Sequence, residues 1–341
     1  MVHTMQQLSS AEVKEAIRVS GSHVSRFGNW SGDCNPLHVD PAVASRTYFG
    51  RPIVHGALVV LEALAAVRDE LPERLARLDV EFREAVYPEQ AYEVCLACDQ
   101  EQVTVEVGPE AASALIIRCA GERQPAEVCS ARTDWVRALK REELGGSRRE
   151  RPADRELDQL RAGLELSGVY SAAGEPDENW VGGPVTPAVA KVLALCSYLV
   201  GMELPGLRSL FTRLRLQFDG AAPADVDALA YRLRITRCDR AFRMVDASLE
   251  VATCEGVLIA SAELRSYVRF SPTTTDLSKL SAALDRSKEG LAGKVALVCG
   301  ASRGLGADLA AALAISGCRV YAAYRSSRAD AERLNNSENK G

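Results

Sequence analysis

Histidine is scarce in this chain. Its 341 residues hold four, at positions 3, 23, 38 and 55, so any imidazole chemistry belongs to the first 55 residues. Basic charge is in deficit, with 41 Lys and Arg against 46 Asp and Glu and a net charge of −5. That balance argues against nucleic acid as the main partner, because a phosphate backbone favours a basic face. No uninterrupted apolar run is long enough to span a bilayer, and MVHTMQQLSSAEVKEAIRV lacks the basic-then-apolar order of a signal peptide. The sequence therefore predicts a cytoplasmic protein with no membrane partner. The 10 cysteines follow no disulfide framework. One CxxC, Cys95 and Cys98 in YEVCLACDQ, has no second pair and no histidine after it, and on a strand its members would face opposite sides. They are read as core thiols, and no metal ligand is assigned. The remaining composition, 47% hydrophobic and 26% charged, is that of a soluble globular chain of two or three compact units.

Two segments look like copies of each other. RPIVHGALVVLEALAAVRDELPERLARLDVEFREAVYP holds an apolar helix ending at Glu70-Leu71-Pro72 and then a strand around Phe82. GPVTPAVAKVLALCSYLVGMELPGLRSLFTRLRLQFDGAAP holds another ending at Glu203-Leu204-Pro205, with a strand around Phe218. Pro52 and Pro184 are 132 apart, Leu71 and Leu204 are 133 apart, and Phe82 and Phe218 are 136 apart. Each helix is apolar nearly all round, which demands burial on most sides. Strand-like runs follow in both copies, among them YEVCLAC, QVTVEV and SALIIRCAG in the first and ALAYRLRIT, FRMVDASLEVAT and GVLIASAELRSYVRF in the second. The expected architecture is α+β: a buried helix wrapped by an antiparallel sheet, twice, with the two sheets edge to edge. The boundaries expected are 1–140 and 161–272 for the two copies, a charged linker over 141–160, a second linker over 273–290, and a separate segment over 291–341.

The stretch with most chemistry is FGNWSGDCNPLHVDPAVASRTYFGRPIVHG. Gly32 and Pro36 mark an irregular backbone that can aim the Asp33 carboxylate and the His38 imidazole at one small volume, a pairing suited to acid–base work. By composition alone, a turn-forming aspartate and a structural histidine explain the same residues. Asn35 is placed to fix the loop through backbone hydrogen bonds. Asp40-Pro41 reads as a helix N-cap and takes no catalytic role. His55-Gly56 opens the first apolar helix, where the Gly56 N–H can support a developing oxyanion or Gly56 can simply permit close packing.

SGDCNPLHVDPAVASRTYFGRPIVHGAL closely resembles the signature of MaoC-like, (R)-specific enoyl-CoA hydratases and related 3-hydroxyacyl-thioester dehydratases, from Ser31 to Gly56. The resemblance implies a hotdog fold, here a double hotdog, and reversible addition of water across the α,β double bond of an acyl thioester. Asp33 and His38 would be the catalytic dyad, the Gly56 N–H the oxyanion donor, and Asn35 and His55 part of the substrate loop. The thioester partner would be acyl-CoA or an acyl carrier protein, with no cofactor. Two departures stand out. Family hydratases carry a supporting serine eight residues beyond the oxyanion glycine, where this chain has Leu64. The matching region of the second copy, SGVYSAAGEPDENWVGGPVTP, has no histidine. One active centre per chain is expected, with the degenerate copy shaping an acyl tunnel in place of a partner subunit; a homodimer is left open.

KVALVCGASRGLGADLAAALAISGCRVYAAYRSSR resembles the first βαβ unit of a short-chain dehydrogenase/reductase. Gly300, Gly304 and Gly306 supply the glycine spacing, and Arg303 and Arg325 match members that prefer NADP. The family's Tyr-x-x-x-Lys would lie well beyond Gly341, so a partial Rossmann unit is expected here, and NADP is relevant only to a complete reductase domain. The leading expectation is a dehydratase of fatty-acid or polyketide-type metabolism, in a dehydratase–reductase fusion. A non-catalytic acyl-binding or scaffolding module is the alternative, motivated by Leu64 and the degenerate copy.

Overall fold

The computed structural model describes residues 12–99, 102–109, 112–121, 132–139, 148–219, 222–271, 275–284, 291–325, 327–328 and 330–332. The amino-terminal stretch with His3, Cys129, residue 140, residues 141–147 of the charged linker and residues 272–274 and 285–290 around the second linker lie outside them. The chain divides into two units, Met1–Arg269 and Phe270–Gly341.

Ten strands of the first unit make one sheet: β1 (Glu12–Arg18), β2 (Leu75–Phe82), β3 (Ala91–Cys98), β4 (Val103–Gly108), β5 (Leu115–Gly121), β6 (Glu165–Tyr170), β7 (Ser209–Phe218), β8 (Leu229–Asp239), β9 (Met244–Ala252) and β10 (Leu258–Val268). Their order is β1-β3-β4-β5-β2-β7-β10-β9-β8-β6, and every neighbouring pair is antiparallel. Read inward from either edge the connectivity is the same, so β6 to β10 repeat β1 to β5. The halves join where β2 meets β7, with Arg77 opposite Gln217 and Glu81 opposite Arg213. Each half-sheet thereby covers an edge that the other would leave unpaired.

Helix α1 (Gly21–Ser31) and two single-turn helices, α2 (Pro36–Val39) and α3 (Pro41–Ala44), precede the apolar helix α4 (Gly56–Ala66); its counterpart in the second repeat is α5 (Pro187–Tyr198). In α4, Ala57 to Leu61, Ala63 and Leu64 are buried. In α5 the buried set runs from Ala188 to Tyr198 and continues through a wider, π-helical turn, Leu199–Glu203. Helices so apolar must be covered by the sheet and by each other, and each fully buried Leu or Val stabilises the fold by roughly 1.5–3 kcal/mol. From β1 to α4 the chain spends 37 residues, but from β6 to α5 only 16. The segment carrying α1 to α3 has no equivalent in the second repeat.

The CxxC is not a pair of core thiols. In β3 the inward positions are Tyr92, Val94 and Leu96, which leaves Cys95 half-buried on the other face and Cys98 exposed at the strand end. Strand alternation, not hydrophobicity, decides the placement.

In the second unit α6 (Leu277–Ala283) precedes β11 (Val295–Cys299), α7 (Gly304–Ile315) and β12 (Arg319–Ala323). β11 and β12 pair in parallel from Val295–Arg319 to Cys299–Ala323, which gives a βαβ arrangement.

Candidate active site

Backbone chemistry shapes the loop. Helix α1 ends at Gly32, whose φ of 76° is the left-handed conformation that suits glycine, and its N–H closes on Gly28 O. The chain then turns into Asp33. The Asn35 side chain caps α2 by accepting from Leu37 N at 3.1 Å, with Pro36 in the first helical turn. Asp40 caps α3 through Ala42 N and Val43 N, as its Asp-Pro pair implies. The outcome is a 2% exposed Asp33 and a 1% exposed Asn35, with His38 half-buried and facing a cavity.

Asp33, His38 and His55 each bring a carboxylate or imidazole atom within 4.8 Å of the others. His38 Nδ1 lies 2.8 Å from Ile53 O. A carbonyl only accepts, so this nitrogen carries the proton, and neutral His38 keeps its lone pair on Nε2. By the same reasoning His55 Nε2–H donates to Asp33 O at 2.9 Å. The two imidazoles stack with centroids 3.8 Å apart and planes 28° apart. With one ring nitrogen of each histidine held by a backbone carbonyl, the cluster offers two imidazole lone pairs and a carboxyl group, the kinds of group that exchange protons. Burial raises the Asp33 carboxyl above its ordinary 3.8, against His38, the Ser197 hydroxyl and the Asn35 N–H, which favour the ionised form. Burial lowers His38 below 6.5, with Asp33 and the Ile53 bond opposing and Arg269 adding to the fall. His55 is held well below 6.5 by burial and by His38, while its bond to Asp33 O opposes.

The second repeat supplies what the first does not. Ser197 Oγ, on α5, donates to Asp33 Oδ2 at 2.6 Å. Asn35 Nδ2 donates to Gly201 O at 2.9 Å. A Cβ on Gly201 would lie 2.3 Å from Asp33 Oδ1, so only glycine lets the carboxylate settle there. Further donors secure α1: Tyr170 Oη to Ser31 O at 2.9 Å and Arg148 Nη1 to Trp30 O at 2.9 Å. Leu64 and Ser197 are separated by 133 residues, the Leu71–Leu204 spacing, and so are Arg68 and Gly201. The serine absent from α4 is thus present on α5. At the opposite, symmetry-related place Arg68 lies against Gly182 and Gly183 and donates to Asn179 O at 2.9 Å. An arginine occupies there the space that Gly201 leaves for Asp33.

A cavity of about 590 Å³ opens on this group, lined from the first repeat by Asp33, His38, Gly56 and Phe82 and from the second by Ser197 and Phe211 among others. Gly56 begins α4 and lines this cavity, and the His55 side chain makes no capping bond to the first N–H groups of the helix. A Cβ on Gly56 would meet Phe82 Cε1 at 2.6 Å, and close packing and N–H access hold together at this position. Phe82 and Phe211 pair across the seam with centroids 5.3 Å apart.

The structure therefore gathers Asp33, Asn35, His38, His55 and Gly56 in one place. Sequence reasoning missed Ser197 and Gly201. In the second unit Gly300 (φ 73°) and Gly304 (φ 56°) form the turn into α7, and a Cβ on Gly306 would lie 2.3 Å from Gly300 O. Arg303 and Arg325 are exposed beside that turn and after β12 respectively.

A buried helix wrapped by an antiparallel sheet, twice in one chain, defines a double hotdog. Residues 6–113 match the family model described as MaoC like domain. An (R)-specific enoyl-CoA hydratase of Aeromonas caviae is 42% identical over 67 residues, 18% of this chain and 50% of that protein. The chain thus spans about half the length of this curated relative. Two solved structures share the fold. A MaoC-like dehydratase has a TM-score of 0.53 at 12% identity, covering 75% of this chain and 96% of its own. A MaoC domain protein dehydratase from Chloroflexus aurantiacus J-10-fl has 0.52 at 9% identity, covering 78% and 97%. No helix among the described residues is long and apolar enough to cross a membrane.

Proposed function

We propose that this chain reversibly hydrates trans-2-enoyl thioesters and dehydrates (3R)-3-hydroxyacyl thioesters, carried by coenzyme A or an acyl carrier protein. One observation carries the reading: Asp33, His38 and the uncapped start of α4 at Gly56 converge on one cavity. In hydration, His38 Nε2 takes a proton from water as its oxygen adds to the β-carbon, and Asp33, whose burial favours the protonated carboxyl, gives a proton to the α-carbon. Charge that gathers on the thioester oxygen meets the Gly56 N–H and the positive end of α4. Dehydration runs the same steps backwards. The Ser197 bond to Asp33 supports this reading over a scaffolding module, because it supplies the serine whose absence at Leu64 was one of the two features behind the latter.

The test presents each enantiomer of 3-hydroxybutyryl-CoA to the parent, Asp33→Asn and His38→Ala chains and follows enoyl absorbance. Conversion of the (R) form by the parent alone supports the reading, and indifference to configuration or to either substitution contradicts it. For the second unit we propose the opening of a dinucleotide-binding fold from a reductase partner. The turn at Gly300, Gly304 and Gly306 would take the pyrophosphate of NADP at the amino end of α7, with Arg303 and Arg325 toward its added phosphate.

A further inference from the structure

The two repeats start their buried helices differently. Thr186 caps α5 by accepting from Val189 N at 3.3 Å. At the same place in the first repeat stands His55, which makes no capping bond. Threonine is a good N-cap, and a residue that does not cap forgoes that stability. His55 is fully buried at 0% exposure, and its Nδ1 has no hydrogen-bond partner, a second cost. Neither feature serves the fold.

Its contacts lie elsewhere. The ring is packed between Phe27, at 5.0 Å between centroids, and His38, at 3.8 Å. Its Nε2–H holds the backbone carbonyl of Asp33 at 2.9 Å. One side chain thus touches both halves of the acid–base pair, and its own backbone leads directly into Gly56. We propose that His55 is a positioning residue: it fixes Asp33 and His38 relative to each other and, by not capping α4, leaves the first N–H groups of that helix to the substrate. The inference rests on the hydratase reading. The groups that face His38 are Asp33, His55 and Arg269, and those that face His55 are His38 and the Asp33 carbonyl. When His38 takes up a proton, the face of a neutral imidazole beneath it is favourable to the cation, whereas a charged His55 would repel it. Burial and the neighbouring His38 keep His55 neutral, against its bond to Asp33 O.

The experiment uses the full chain with His55→Thr, the residue that the second repeat employs, and His55→Gln, whose amide N–H reaches toward the Asp33 carbonyl. Crotonyl-CoA kinetics, thermal melts and NMR titration of His38 are read together. His55→Thr is expected to keep its melting temperature through the restored cap, to lose about 10²-fold in kcat with KM within about twofold, and to let His38 titrate closer to 6.5 as water reaches its ring. His55→Gln is expected to recover part of kcat. Unchanged kcat and an unmoved His38 titration in His55→Thr overturn the proposal. If His55→Thr fails to fold, His55→Ala is read in its place, and unchanged kcat with an unmoved His38 titration in that variant overturns the proposal. Should the parent not turn over crotonyl-CoA, the hydratase reading fails, while the His38 titration still decides the positioning role.

Discussion

Ser197 donates its hydroxyl hydrogen to Asp33 Oδ2 at 2.6 Å, across the boundary between the two repeats. The carboxylate comes from one repeat and the group that orients it from the other. A half-chain would therefore hold the signature residues without their support.

Ser197→Ala is expected to lower kcat/KM by about tenfold, the equivalent of about 1.4 kcal/mol and in line with the loss of one hydrogen bond. Gly201→Ala should do more, because its methyl group needs the volume that Asp33 Oδ1 holds, 2.3 Å away. Steady-state kinetics of the two variants check the order.

Gly56→Ala is expected to destabilise the fold by about 1–3 kcal/mol through collision with Phe82, 2.6 Å from the new carbon. Combining it with Phe82→Ala should cost less than the two single changes together. Denaturant unfolding of the four chains gives the coupling, and simple additivity would show that the collision is not the cause.

Arg68→Ala is expected to leave the hydration rate unchanged. It empties the symmetry-related position beside Gly182 and Gly183, but that side has neither a histidine nor the α1–α3 segment. A rise in turnover after this change would reveal a second active centre.

Stability should fall in mild acid. His38 and His55 have folded values depressed below 6.5, so the unfolded chain binds more protons through that window. Their contribution is present above pH 6.5 and is lost as pH falls through the depressed values. Asp33 has the opposite sign: its raised value makes its contribution largest below 3.8 and diminishes it as pH rises through the folded value. Thermal melts between about pH 7 and pH 5 check the histidine sign, and the slope should shrink in His38→Asn.

The convergence of Asp33 and His38 was legible because one continuous stretch carries both, with its own turn and cap chemistry in Gly32, Asn35 and Pro36. The duplication was legible from spacing, and the single ten-stranded sheet follows it closely. Ser197 and Gly201 were not legible, since LALCSYLVG is what any buried helix offers locally. The signal that could have found Ser197 was the spacing itself: carrying Leu64 forward by the 133 residues between Leu71 and Leu204 lands on it. Helix α1 escaped notice because GSHVSRFGNWS is rich in Gly, Ser and Asn, which are poor helix formers, and the segment is held by burying Val24, Phe27 and Trp30 on one face rather than by propensity. The edge strands β1 and β6 are short and broken by charge or glycine, which blurs their alternation.

The central claim is that Asp33 and His38, completed by the second repeat, move water on and off an enoyl thioester. The most direct measurement is the ultraviolet absorbance of crotonyl-CoA on addition of the purified chain, beside Asp33→Asn. Loss of the conjugated enoyl signal with the parent, and none with Asp33→Asn, is the predicted result. Equal rates for the two chains, or release of free thiol in place of hydration, would contradict the account.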